Sequence, residues 1–586
     1  MKKSLAILFI AALVVSITTG HHKTSASEKH MTPANQPAPS ALDTFSLPSD
    51  SEAGAMMLYE TAEGIGCRSA TPDEARLFSR SDHSAQVHRI SPADQFSIDA
   101  KGGLKIILRA TQQLEGFPEV KEAFLRAAAI WTDKIQSPIT LVIDVDFGPT
   151  WFGTAYQPQV LGSTSPQDVT SDSYRAVRAQ LIAGSSNQQE SAIYNSLPLD
   201  TVPTDLGNTS TMKAPSANAR ALGLLDAVAD PDGKEKNLGK PPAIGFNSKN
   251  GFDYDPSDGI SPNLVDFEAV AVHEIGHALG FRSCTEDRQG DSKAPIALSV
   301  WDLFRVRPGM PSNALATTAR ILNAGGEQIS TLAGLEVPLS TGSSAHGGDG
   351  RSSWHWKDDF LINGRFIGIM EPGIASGIRH VMTAYDLLAL KMMGYKFRPD
   401  IQIAPELDSL SGGIQGDAVT IAGRAVNFEQ DTIQAEVKVL DESGHVLGEY
   451  PLASFTPGEL SIIEFSVQFA GINQWRAATQ ASLTVMDLSG NRSQPLTTGI
   501  LKGEPGAATL LNVTFDGSVM KIKGKRLTGQ LSLEVNGELV LLPNVRVTGK
   551  KAVIDATASE LRLSAGPNRV RIVSDGLRSN AAVLVL

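Results

Sequence analysis

The stretch FEAVAVHEIGHALGF, residues 267–281, decides the reading of the chain. His273 and His277 stand four apart, so on a helix both imidazoles project from one face toward one point. Glu274 lies beside them, placed to reach a water at that point without itself ligating. With 11 His in 586 residues, a chance H-E-x-x-H match is expected only about 0.01 times in such a chain. The rest of the helix is apolar (Val270, Ala271, Val272, Ala278, Leu279), which predicts burial. Two imidazoles and a carboxylate are costly inside an apolar helix unless a cation satisfies them. The pattern predicts a zinc ion on His273 and His277, with Glu274 as general base. Gly280 ends the helix.

A catalytic zinc needs a third protein ligand and an open position. The short-spaced pattern H-E-x-x-H-x-x-G-x-x-H requires a histidine at 283, where this chain has Ser283. Candidate third donors farther along the chain are Glu286, Asp287, His346 and His355. His355 lies 78 residues beyond His277, in the run WHWKDD. HEIGHALGF, His355-Trp356, GIMEP (368–372) and TAYDLLALKMMGY (383–395) follow one another in that order. Together with FDYDPSDG and WDLFR (301–305), this series resembles leishmanolysin-like metzincins and a family of secreted bacterial metalloproteases with the same arrangement. The likeness covers about residues 120–398. It implies His355 as third ligand, with His346, Asp287 and Glu286 as alternatives. It also implies Met370 as the Met-turn residue beneath the metal ligands, and a 383–395 helix that closes the domain. The activity implied is zinc-dependent hydrolysis of protein or peptide substrates.

Outward from this motif, the order of elements is α+β. A helix is expected over Glu119–Gln136, after Pro118 and before Ser137-Pro138. The strand ITLVIDVDF follows at Ile139–Phe147, with Asp144 and Asp146 on its second face. Residues 184–219 read as a long polar loop or insertion, and Pro242–Phe252 as a strand. A helix from Ala384 to Met393 has Thr383 as N-cap, Asp386 completing a capping box and Gly394 as its stop. Past residue 398, period-two alternation (Ile433, Ala435, Val437, Val439; Leu531, Leu533, Val535) and the hairpin pairs Asn536-Gly537 and Asp575-Gly576 predict strands. Val419, Ile421, Gly423 and Val426 recur at equal spacing as Met520, Ile522, Gly524 and Leu527, which suggests two related Ig-like or TIG-like sandwiches.

The expected division is a signal peptide at 1–20 and a low-complexity leader or propeptide at 21–95. A metzincin-like metalloprotease domain at 96–398 and β-sandwiches at 399–500 and 501–586 follow. Lys2 and Lys3 precede an apolar run from Leu5 to Val15, too short to span a bilayer and suited to export. Later sequence has no run of eighteen apolar residues, so no transmembrane segment is expected in the mature chain, and the expected location is extracellular or periplasmic. The net charge of −12 argues against a nucleic-acid partner. In an oxidising compartment the two cysteines, Cys67 and Cys284, could form a disulfide; alternatively, Cys67 could ligate zinc in a latent precursor. Asp253, Asp255 and Asp258 are candidate calcium ligands, in a stretch that also reads as an ordinary Asp-Gly turn. Tyr385 could assist an oxyanion, or serve as a core aromatic. The rival reading is a secreted adhesion or carbohydrate-binding protein. In it the sandwiches engage a surface or matrix ligand and the zinc site is vestigial.

Overall fold

The computed structural model describes residues 55–586 except 63, 72, 76–86, 90–101, 286, 288–294, 311–313, 359–365, 416–417, 432, 452–461, 471–476, 541–544 and 565. The expected export signal therefore lies outside the described residues. The chain is mixed α/β, rich in sheet and poor in helix. It divides into two compact units, one formed by residues 31–401 and the other containing 402–586. No helix among the described residues is long and apolar enough to cross a membrane.

The first unit is built on an eight-stranded sheet. Its strands are β1 (Met56–Glu60), β2 (Gly64–Ser69), β3 (Val87–Arg89), β4 (Lys105–Thr111), β5 (Thr140–Gly148), β6 (Val160–Ser165), β7 (Ala243–Asn247) and β8 (Gly373–Ala375). Their order across the sheet is β8-β2-β1-β6-β7-β5-β4-β3. β4, β5 and β7 run parallel, and β6 is antiparallel to β7. Every residue of β5 is buried, as befits a strand covered on both faces. Asp144 and Asp146 are tolerated there because each is bonded. Arg109 donates to Asp144 from Nε (2.6 Å) and Nη2 (2.9 Å), while Thr111, Gln113 and the Phe152 N–H donate to Asp146.

Residues 55–69, expected within a leader or propeptide reaching residue 95, belong to the sheet of the first unit. β1 and β2 form a hairpin within the domain's own sheet: β1 pairs with β6, and β2 pairs with β8. The sequence MMLYE is too short to show period-two alternation, so its strand character comes from its neighbours. A correction concerns 184–219, which is not one loop. It includes helix Gln188–Asn195, capped by the Asn187 side chain on the Glu190 N–H, then strand Thr211–Pro215 and helix Ser216–Ala221.

Helix α1 (Pro118–Thr132) has proline in its first turn and buries Val120, Ala123, Phe124, Ala127 and Trp131. It stops four residues before the expected end because Ile135 turns its carbonyl to Leu104 N–H, and the following Ser137-Pro138 disfavours helix. Helix α2 (Phe267–Leu279) carries the histidine motif and is buried throughout. Its start is fixed by Asp266, which accepts from the Ala269 N–H (3.0 Å). Phe267 is ringed by Phe124, Phe246 and Phe252 at centroid distances of 5.0–5.4 Å. Trp131 of α1 donates its Nε1–H to the Val272 carbonyl at 3.0 Å. Helix α3 (Ala384–Met392) has the expected capping box of Thr383 and Asp386.

From Glu406 onward every described element is a strand. Two sheets, β9 (Glu406–Gln415), β10 (Ala418–Val426) and β13 (Ile462–Ala470) in one, β11 (Gln434–Leu440), β12 (Val446–Pro451), β14 (Gln480–Met486) and β15 (Leu496–Gly499) in the other, share one apolar core. A second pair with its own core follows. One sheet has β16 (Thr509–Phe515), β17 (Val519–Leu527), β20 (Val545–Val547) and β21 (Gly549–Asp555). The other has β18 (Leu531–Val535), β19 (Glu538–Val540), β22 (Pro567–Ser574), β23 (Leu577–Arg578) and β24 (Ala582–Val585). Asn536-Gly537 and Asp575-Gly576 make the tight turns their sequence suggests, all four residues having positive φ.

Candidate metal centre

His273 and His277 lie on the face of α2 that the i, i+4 spacing requires, and His355 arrives from the 340–356 segment. All three are buried. His273 Nε2 is 3.1 Å from both His355 Nε2 and His277 Nε2. The other nitrogen of each ring faces a backbone carbonyl: His273 Nδ1 that of Ile369 (2.7 Å), His277 Nδ1 that of Phe281 (2.7 Å), His355 Nδ1 that of Ser352 (3.0 Å). A carbonyl only accepts, so each Nδ1 carries the proton. Burial holds the rings neutral, His273 pushed down to about 4 and the other two well below the usual range. Three bare Nε2 lone pairs therefore converge with no hydrogen between them. That arrangement is repulsive unless a cation sits among them, and the carbonyl partners are the orienting contacts that metal-bound imidazoles use.

The residues present thus fit a metal ion, and a fourth donor joins them. Cys67, on β2, lies with His273, His277 and His355 in a buried group whose candidate ligand atoms are all within 4.8 Å of one another. Its backbone N–H donates to Pro372 O at 2.7 Å, which ties β2 to the turn just past Met370. Burial, with the nearby Glu274 charge, pushes the Cys67 thiol up; a cation would reverse this. The disulfide between Cys67 and Cys284 is not formed. Both are free and buried, and Cys284 belongs to a separate polar knot where Arg282 Nη1 donates to its sulfur and Asp302 accepts from its N–H.

Glu274 is fully buried, and neither of its oxygens makes a hydrogen bond of good geometry, although the Thr164 hydroxyl lies near enough to oppose the effect of burial on its carboxyl. Burial raises its carboxyl to about 8. A buried carboxyl so poorly bonded is expensive and marks a group awaiting something absent from the protein itself. Met370 passes beneath α2 opposite Gly276. A Cβ at Gly276 would fall well inside contact distance of Met370 Sδ and 3.1 Å from its Cε, so only glycine lets this side chain lie under the ligand helix. Asp386 binds the surrounding segments together. It accepts from Trp356 Nε1 (2.8 Å) and from the N–H groups of Ile369 (3.0 Å) and Thr383 (2.8 Å). Trp356, beside His355, is also held edge-on between Trp301 and Phe281.

Of the alternative third ligands, His346 is exposed at the end of a 3₁₀ turn. Asp287 pairs with Arg282 (2.8 Å) and Lys213 (3.0 Å), and Glu286 falls outside the described residues. Tyr385 is buried in α3. The calcium candidates Asp253 and Asp255 lie in the Asp-Gly turn that the sequence also suggested. Asp253 accepts from the N–H groups of Asp255 and Ser261, and Asp255 from that of Ser257, so these carboxylates serve the turn. Among the described residues, Cys67, His273, His277 and His355 are the one group of three or more His, Cys, Asp or Glu side chains close enough together to share a metal ion. The sequence signals for Asp386 and Gly276 were a capping box and a helix-breaking residue inside the motif, neither of which announces a role at a metal centre. No protein-family model matches the chain, and no curated protein compared with it matches.

Proposed function

We propose that this chain is a secreted zinc-dependent endopeptidase of metzincin type, and that the form described here is its latent state. The observation that carries the proposal is the convergence of three proton-free Nε2 atoms beside the fully buried Glu274 carboxyl. His273, His277 and His355 would hold the ion. Bound there, zinc supplies a Lewis acid that acidifies water and polarises a peptide carbonyl. Glu274 is the base that accepts the proton of the attacking water and returns it to the leaving amine. Ile369, Phe281 and Ser352 hold the imidazoles in the required tautomer throughout.

Latency is supported by Cys67 and the hairpin that bears it. Four protein donors complete a tetrahedral site and leave no position for water. β1 lies antiparallel along β6 with Met56 opposite both Ser69 and Thr164, and Leu58 opposite Cys67. Partner residues share a face, so these side chains lie on the Cys67 side, where an extended substrate would otherwise pair. Cys67→Ser therefore keeps the metal and gains peptide hydrolysis that a chelator abolishes. Cys67→Ser/Glu274→Gln also keeps the metal but loses that hydrolysis by roughly 100- to 10,000-fold.

A second reading, a structural Cys-His₃ zinc in an otherwise adhesive protein, is favoured by the four-donor set. It leaves the buried Glu274 carboxyl without purpose. Under that reading Cys67→Ser loses zinc and stability and gains no hydrolysis. Cobalt substitution separates the two without an activity assay: a thiolate charge-transfer band should vanish in Cys67→Ser while the metal stays stoichiometric.

A further inference from the structure

The last sandwich differs in charge from the rest of the chain. Residues 501–586 contain 12 Lys and Arg against 7 Asp and Glu, or +5, leaving 39 against 56, or −17, in the first 500 residues. The excess gathers on the outer face of the β16-β17-β21-β20 sheet. On β17 the alternation Met520, Ile522, Gly524 faces the core, and Lys521, Lys523 and Lys525 face out, all exposed. Lys551 of β21 is the register partner of Lys523. Like charges directly opposite across two strands are destabilising. Lys521 is neutralised by Asp516 and Arg546 by Asp555. Among the described residues, Lys523, Lys525 and Lys551 have no acidic partner.

The backbone adds a second cost. Between Lys523 and Leu527 the β17–β21 register is broken by a bulge, and Arg526 within it has a φ of +58°, a region that bulky residues rarely enter. The bulge puts exposed Lys525 and Arg526 beside exposed Lys550 and Lys551 at the start of β21. Crowded cations and backbone strain at one place do nothing for this fold. A partner that brings negative charge would give both a use.

We infer that this face binds a linear acidic polysaccharide. Side chains two apart on a strand stand about 6.8 Å apart, so Lys521, Lys523 and Lys525 form a row along which an extended polyanion can lie. The occupant is read by charge alone, because residues 501–586 contain no Trp, Tyr or His and a single aromatic, Phe515. Stacking on sugars or bases is thereby excluded. The row is flanked by Asn512 and Thr514 of β16, and Leu511, the one exposed large apolar side chain of that strand, is too little for insertion into lipid.

The experiment uses the full chain and measures binding to heparin, polygalacturonate, neutral dextran, vesicles containing phosphatidylglycerol, and a DNA duplex. Heparin and polygalacturonate should bind, weakening steeply as salt rises, while dextran does not. Lys523→Glu/Lys525→Glu/Lys551→Glu should weaken both by roughly tenfold or more at about 50 mM salt. Lys234→Glu/Lys236→Glu/Lys249→Glu, an equal change in net charge on exposed residues of the other unit, should leave them within about twofold. Circular dichroism and thermal melting confirm that each variant is folded. The inference is overturned if neither polysaccharide binds, if both triple variants weaken binding equally, or if only vesicles or DNA are held. Because no hydrolysis is measured, the outcome is independent of the protease proposal.

Discussion

Gly276→Ala sets two effects of known size against each other. In a helix interior alanine is favoured over glycine by about 1 kcal/mol, and on propensity alone the variant would be more stable. The added methyl, however, points at Met370, which is fully buried and cannot swing out to solvent. It would meet Met370 Sδ well inside contact distance, its Cε at 3.1 Å and Trp131 Cζ2 at 3.4 Å. The far wall is closed too, since Trp131 is held by its bond to Val272 O. Overpacking of this kind costs about 1–3 kcal/mol, and with two buried neighbours pinned the upper half of that range applies. The net expectation is a destabilisation of about 1–2 kcal/mol. Zinc affinity should fall as well, because the Met370 turn also supplies the Ile369 carbonyl that orients His273. The assay is thermal unfolding of the zinc-loaded and chelated chain, with zinc content by elemental analysis. Gly276→Ala/Met370→Ala serves as the cycle partner: removing the thioether should restore much of the loss, giving a coupling of about 1 kcal/mol or more. A Gly276→Ala protein that melts higher than the parent and keeps full zinc affinity would refute the reasoning.

Three further outcomes follow from the geometry. Glu74, bonded to Arg68 at 2.8 Å through both oxygens, has its carboxyl lowered to about 2 by that guanidinium. A depressed carboxyl contributes stability above its unfolded value near 4.5, and the contribution is lost as pH falls from there toward 2. After allowance for solvent screening this is about 1–2 kcal/mol, so the gap between parent and Glu74→Gln should close between pH 4.5 and 2 in denaturant titrations. Asp386→Asn should lower zinc affinity roughly 10- to 100-fold, because an amide offers one acceptor oxygen to donors that now share two; equilibrium competition with a chelator measures it. His355→Ala leaves His273, His277 and Cys67 and should weaken zinc binding, whereas His355→Ala/Cys67→Ser should lose the ion altogether; a double variant that still holds a stoichiometric ion by elemental analysis would refute the assignment.

The His273–His277 helix is legible in the sequence because two histidines four apart on an apolar background cannot be buried cheaply without a cation between them. His355 is less so. Its distance from the motif is set by chain that folds between them, and only its place in an ordered series of segments points to it. Cys67 illustrates what sequence alone leaves open. Two cysteines in a chain whose sequence suggests export invite a bridge, and what separates them is strand pairing: β2 is drawn to β8 and Pro372, whereas Cys284 is held by Arg282 and Asp302. Asp144 and Asp146 mislead in a similar way. Alternation assigns them to a second, polar-looking face, yet both are buried, and Arg109, Thr111 and Gln113, which satisfy them, lie about 35 residues away in sequence. The sandwiches are easier, since hairpin turns of Asn-Gly and Asp-Gly type act over two residues and need no distant partner.

The hairpin carrying Cys67 is held by pairing on both sides, β1 to β6 and β2 to β8, and by the Arg68–Glu74 clamp. A single cut in the chain between Ala75 and Val87 would sever it from the rest of its unit without breaking any of these contacts. If the latent state proposed above is right, the freed peptide would stay bound as a separate inhibitor, having lost only the advantage of tethering. Activation after such a cut would therefore depend on dilution: concentrated enzyme would remain silent, and the same enzyme spread thin would awaken as the peptide departs.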